Sequence, residues 1–148
     1  MNQIKLGLLV NPMAGIGGAV GLKGSDGESI VDQALQRGAV PRALQRVGIF
    51  LRELQPYQAQ IQWFCWGGAM GEDSLQEAGF NMQVCGECAA TTGAVDTRQA
   101  ARALQQQGVD LIVFAGGDGT ARDIHQAVNT SIPVLGIPAG VKIHSGVY

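Results

Sequence analysis

The sequence predicts an α/β fold: a three-layer, doubly wound and mostly parallel sheet. Three observations predict it. Five short apolar runs punctuate the chain, segments with helical spacing lie between them, and every run exits into a turn holding glycine or proline. Strands alternating with helices bury a parallel sheet between helical layers, and right-handed crossovers then bring all strand C-terminal ends to one edge. The glycine-rich turns therefore gather on the edge where open α/β sheets bind ligands.

The strands are read as follows. Ile4–Val10 is a continuous apolar run stopped by Asn11-Pro12. Residues 59–66 (AQIQWFCW) alternate and stop at Gly67-Gly68, and Phe80–Val84 is a weaker run stopped by Cys85-Gly86. Val109–Ala115 stops at Gly116-Gly117, and Ile132–Ile137 at Pro138-Ala139-Gly140. Runs without clean alternation predict strands buried on both faces.

Helices are predicted over Ile30–Gln36, Pro41–Leu54, Asp73–Ala78, Asp96–Gln107 and Thr120–Asn129. The second has proline at a first-turn position and Leu44, Val47, Phe50, Leu51 and Leu54 at helical spacing. The fourth has an acid at its start and Gly108 just past its end. In the last, Thr120 with Asp123 three residues on resembles a capping box.

At 148 residues the chain is one domain's worth, with no internal repeat. Hydrophobic residues make up 46% and charged residues 15%, against about 25% charged in ordinary soluble domains. So sparse a charge implies a face covered by a further domain or by a second subunit, as in a homo-oligomer. A net charge of −2 and the lack of a basic run give nucleic-acid binding no support. No apolar stretch approaches the ~18 residues of a membrane span. Three cysteines, an odd number, fit a reducing cytoplasm better than a disulfide framework.

Chemistry concentrates in VFAGGDGTARDI, residues 113–124. Gly116 and Gly117 let backbone approach a ligand closely, and the helix that follows aims free N–H groups and its positive dipole end at the same place. Asp118 is at odds with bare phosphate. Three roles resolve the conflict: a magnesium ligand bridging to phosphate, a base for a substrate hydroxyl during phosphoryl transfer, or a helix cap. Thr120 is able to supply the cap itself, which weakens the third.

Other motifs are weaker. Gly15, Gly17 and Gly21 follow the first strand with GxGxxxG spacing, but Asn11-Pro12 intervenes and no acid ends a second strand at the expected distance. A glycine-rich lid with Lys23 nearby, or an ordinary mobile loop, are the two readings. Cys85 and Cys88 form a CxxC without the second pair that a structural zinc needs, so no metal ligand is assigned. His125, inside the last helix, reads as surface or packing. Lys142, after the final strand, lies on the same edge as Asp118, either as a cation for phosphate or as a solvated tail lysine.

Taken together, LLVNPMAGIGG, GLKGSDG, FAGGDGTARDI and VLGIPAGVKIHSGVY resemble the ATP-NAD kinase family, within the superfamily of NAD kinases and diacylglycerol or sphingosine kinases. The similarity spans essentially the whole chain. It implies a Rossmann-like N-terminal domain over residues 1–148, with a β-rich C-terminal domain absent from this chain. It implies an enzyme, a phosphotransferase that phosphorylates the 2′-hydroxyl of NAD with ATP or polyphosphate and Mg²⁺. By the same resemblance Asp118 is the base, and Asn11, Gly116, Gly117, Gly119 and Thr120 contact nucleotide or phosphate, with Gly140 and Lys142 joining them. Pro138–Lys142 is closer in style to the lipid kinases. A lipid or other small hydroxyl compound therefore stands beside NAD as acceptor, and a nucleotide-binding module without catalysis as a third reading.

Overall fold

A computed structural model describes residues 2–14 and 42–139. Five strands form one sheet: β1 (Ile4–Val10), β2 (Ile61–Cys65), β3 (Met82–Val84), β4 (Leu111–Gly116) and β5 (Val134–Pro138). All four pairings are parallel, in the order β3-β2-β1-β4-β5. The helices are α1 (Arg42–Glu53), α2 (Glu72–Glu77), α3 (Ala94–Gln106) and α4 (Asp118–Val128), with 3₁₀ turns at Gln55–Gln60 and Gly68–Met70. The expected helix over Ile30–Gln36 and the glycine-rich segment from Gly15 to Gly27, including Lys23, lie outside the described residues.

The sheet is covered on both faces. On one, Ala43, Val47 and Leu51 of α1 and Leu75 of α2 pack on Leu6, Leu8, Val10, Trp63 and Val113. On the other, Ala100, Ala101 and Leu104 of α3 and Ile124 and Val128 of α4 pack on Leu9, Phe64, Ile112 and Phe114. Successive strand residues point to opposite faces. A strand with helices on both sides is therefore apolar on both faces where it is covered, which is why β1 from Leu6 onward and β4 read as unbroken runs. The alternation expected in 59–66 fails for the same reason: in β2 only Gln62 is exposed, and Trp63, Phe64 and Cys65 are all buried. The weak third run is the edge strand β3, where Gln83 and Val84 are exposed.

Local signals place the helix ends. The Asp96 carboxylate accepts the Gly93 N–H at 2.8 Å, closing the start of α3. Gly108, at φ +72°, turns the chain from α3 towards β4 in a conformation that L residues rarely adopt.

The strand order sets the site. From β1 the chain steps outward to β2 and β3, with α1 and α2 on one face. It then crosses to β4 on the far side of β1 and continues to β5, with α3 and α4 on the other face. The order reverses between β1 and β4, and the described helices that follow these two strands pack on opposite faces, the arrangement that in open α/β sheets places a crevice at the strand C-termini.

Candidate functional site

Two segments meet at that crevice. Val10 is in register with Ala115, and the Asn11 N–H donates to the Ala115 carbonyl at 2.8 Å, so the exits of β1 and β4 lie side by side. Asn11 then turns the chain on itself: its Oδ1 accepts the Met13 N–H at 3.2 Å, and its carbonyl accepts the Ala14 N–H at 3.1 Å. Its Nδ2 donates to Thr120 Oγ1 at 3.2 Å. The sequence-derived residues Asn11, Gly116, Gly117, Asp118, Gly119 and Thr120 are thus brought together at one place. Gly140 and Lys142 lie outside the described residues.

The start of α4 differs from the expectation. The helix begins at Asp118, two residues before Thr120, and the Ala121 N–H donates to the Gly117 carbonyl at 3.1 Å. Gly117 is the N-cap, with no side-chain cap hydrogen bond. Neither Asp118 nor Thr120 is the cap. Thr120 sits in the first turn, 5% exposed, with its hydroxyl engaged by Asn11. Asp123 is no capping partner either, since its carboxylate meets Arg98 of α3 at 3.4 Å. The first turn of α4 opens beside the exit of β1, and a helix's first turn is where backbone N–H groups have no intrahelical acceptor. Asp118 occupies the first helical position, where a carboxylate is stabilised by the helix dipole.

The glycines have distinct roles. A Cβ at Gly116 would collide with Thr120 Oγ1 and lie 2.7 Å from the Thr120 Cβ. Gly116 is therefore required by packing, to let strand and helix close on each other. At Gly119, exposed in the first turn, a Cβ would meet nothing within 4 Å. No packing reason requires glycine there.

The other side of the crevice carries a cation that sequence reasoning missed. Arg46 of α1 donates from Nη1 to the Pro138 carbonyl at 2.6 Å. Pro138 is in register with Gly116, and the Ala139 N–H donates to the Gly116 carbonyl at 3.4 Å. Nothing in the pattern of α1 marks Arg46, because its neighbour in space lies 92 positions away.

The CxxC segment lies on the same edge. Gly67 N–H donates to the Gly86 carbonyl at 2.9 Å, and a Cβ at Gly86 would collide with the Trp66 ring. Cys65, Cys85 and Cys88 are unpaired thiols. Burial pushes the Cys65 thiol up to about 12, helped by nearby Cys85 and Glu72. Burial likewise raises Cys85, against a backbone hydrogen bond from the Cys65 region that lowers it. Among the described residues no group of three His, Cys, Asp or Glu side chains stands ready to hold a metal ion.

A cavity of about 530 Å³ opens at the opposite edge of the sheet, lined by residues such as Gln3, Gln58, Trp63 and Asn81. Its lining carries no charged side chain, so it offers no cation to a phosphate.

A doubly wound domain with a glycine–aspartate loop and a helix start at its switch point belongs to the class of open α/β proteins whose ligand sites form at the C-terminal ends of the strands. The chain belongs to a particular family of that class: the family model for the ATP-NAD kinase N-terminal domain covers residues 6–148. No curated protein and no solved structure matches the chain. No helix among the described residues is long and apolar enough to cross a membrane.

Proposed function

We propose that this chain supplies the phosphate-binding and catalytic loop of a kinase that transfers a phosphoryl group from ATP to the 2′-hydroxyl of NAD. Family membership supports the kinase class. The observation that carries the catalytic reading is the position of Asp118: first residue of α4, directly after the Gly116-Gly117 exit of β4, at the switch point.

The mechanism follows from this chain's own residues. The backbone N–H groups opening α4 hold phosphate oxygens, and Gly119, with open space around its Cα, admits them closely. Asn11 and Thr120 fix the loop against β1. Asp118 orients the acceptor hydroxyl and takes its proton as the oxygen attacks the terminal phosphorus, whose bond to the bridging oxygen of the β-phosphate breaks so that ADP leaves with that electron pair. A single carboxylate in the loop fits a magnesium ion carried on phosphate oxygens better than one caged by protein, and such an ion neutralises phosphate charge. The three unpaired thiols accord with work in the reducing cytoplasm.

The test is phosphoryl transfer by the intact gene product, assayed with ATP and Mg²⁺ against NAD and diacylglycerol in parallel. Asp118→Asn should lower turnover of NAD by about 10²–10⁴-fold while leaving the fold intact. Wild-type turnover by that variant would remove Asp118 from the chemistry. Phosphorylation of diacylglycerol alone would move the acceptor to a lipid, and nucleotide binding with no product from either would leave a binding module.

A further inference from the structure

We propose that Arg46 is a phosphate-binding residue of this site, a cation that receives the polyanionic phosphate chain of the donor beside Gly116-Gly117. The proposal rests on the loop being a phosphoryl-transfer site, and it supplies the charge that the loop lacks. Asn11, Gly116, Gly117, Asp118, Gly119 and Thr120 together bring one negative side chain and no positive one. A phosphate chain brought beside Asp118 meets like charge, and hydrogen bonds from neutral backbone offset only part of it.

Arg46 is placed to correct this. Its 2.6 Å bond to the Pro138 carbonyl anchors the guanidinium at the end of β5, one strand from Gly116. That bond engages one of five N–H donors, and the planar fork leaves the rest pre-organised for phosphate oxygens. Arg46 is exposed, and among the described residues no carboxylate pairs with it, in contrast to Arg98, which meets Asp123 at 3.4 Å. No acid stands in the first turn of α1. One turn earlier, Arg42 shares the same stripe of the helix and adds a second exposed cation. The helix start is itself tied to the crevice, because the Ala43 N–H donates to the Ala14 carbonyl at 3.2 Å, three residues beyond Asn11.

A purely structural role, tying α1 to β5, predicts lost stability without lost anion affinity. The two are separated by calorimetric titration of the intact protein with inorganic tripolyphosphate, which has no base or sugar to bind elsewhere. Arg46→Gln should weaken tripolyphosphate tenfold or more, and Arg46→Lys, which keeps the charge and loses the fork, by less. Arg52→Gln removes the same charge from the far end of α1, where the side chain bonds its own helix at Gly48, and should leave affinity unchanged. Asp118→Asn should bind tripolyphosphate at least as tightly as wild type, so its loss of turnover reports the chemistry alone. Unchanged affinity in Arg46→Gln, an equal loss in Arg52→Gln, or no binding by wild type would overturn the role of Arg46, whatever Asp118→Asn shows. If Arg46→Gln fails to fold, the Arg46→Lys titration decides: unaltered affinity counts against the fork.

Discussion

The Asn11 carboxamide donates to the Thr120 hydroxyl across 3.2 Å, joining positions 109 apart in the chain. This contact bridges the switch point from the exit of β1 to the first turn of α4. Asn11→Ala would leave the hydroxyl of Thr120, a residue only 5% exposed, without this donor. A loss of about 1–3 kcal/mol is expected, read from urea unfolding. With Thr120→Val as the second arm, the double-mutant cycle should show coupling of about 0.5 kcal/mol or more. Additive effects would mean that the bond is not formed in solution.

Two glycines of the loop should respond in opposite directions. Gly116→Ala drives a methyl group into Thr120 and should cost about 1–3 kcal/mol, part of it recovered when Thr120 is shortened to alanine. Gly119→Ala meets no atom within 4 Å and lies in a helix, so it should stabilise the fold by about 0.5–1 kcal/mol. If phosphate passes over Gly119, the same variant loses kinase turnover despite its higher melting temperature. Full activity in Gly119→Ala would place the phosphate elsewhere.

Cys65 predicts an alkaline loss of stability. Its thiol has an ordinary value of 9.0 and is pushed up to about 12 in the fold, chiefly by burial. Between those values the unfolded chain releases the proton and the native chain keeps it. Stability should therefore fall as pH rises from about 9 towards about 12. Urea midpoints measured across that range check it, and Cys65→Ala should flatten the slope. In alkylation at lower pH, the half-buried Cys85 and Cys88 should react in the native state and Cys65 only after unfolding.

Two acids, one at a helix start and one in mid-helix, should differ in weight. Asp96 accepts the Gly93 N–H and closes α3, so Asp96→Asn should cost about 0.5–2 kcal/mol. Asp123 meets Arg98 at 3.4 Å with both side chains partly exposed, so Asp123→Asn should cost less than about 1 kcal/mol. Thermal denaturation of the two variants side by side checks the order.

Much of this architecture was legible in the chain, and the misses share a cause. Strand identity follows from apolar runs closed by glycine or proline, so all five strands were found, β1 with both ends matched and the others with edges within two residues. The order β3-β2-β1-β4-β5 was not legible, because local sequence does not record which side of β1 a crossover returns to. The cluster around Asp118 was visible because it is contiguous. Thr120 was misread as a cap because its hydroxyl has a partner, Asn11, that no local window contains. Arg46 escaped notice for the same reason, its partner being Pro138.

The central place of β1 has a consequence for synthesis. It emerges from the ribosome before any other strand described here, yet it pairs with β2 on one side and β4 on the other. Until residue 116 has been made, its apolar backbone edge towards β4 has no native partner. A nascent chain stalled before that point presents an unpaired, hydrophobic strand, the species that chaperones bind and that aggregates when they are absent. The strand that later frames the crevice is thus the segment most exposed while the protein is being made.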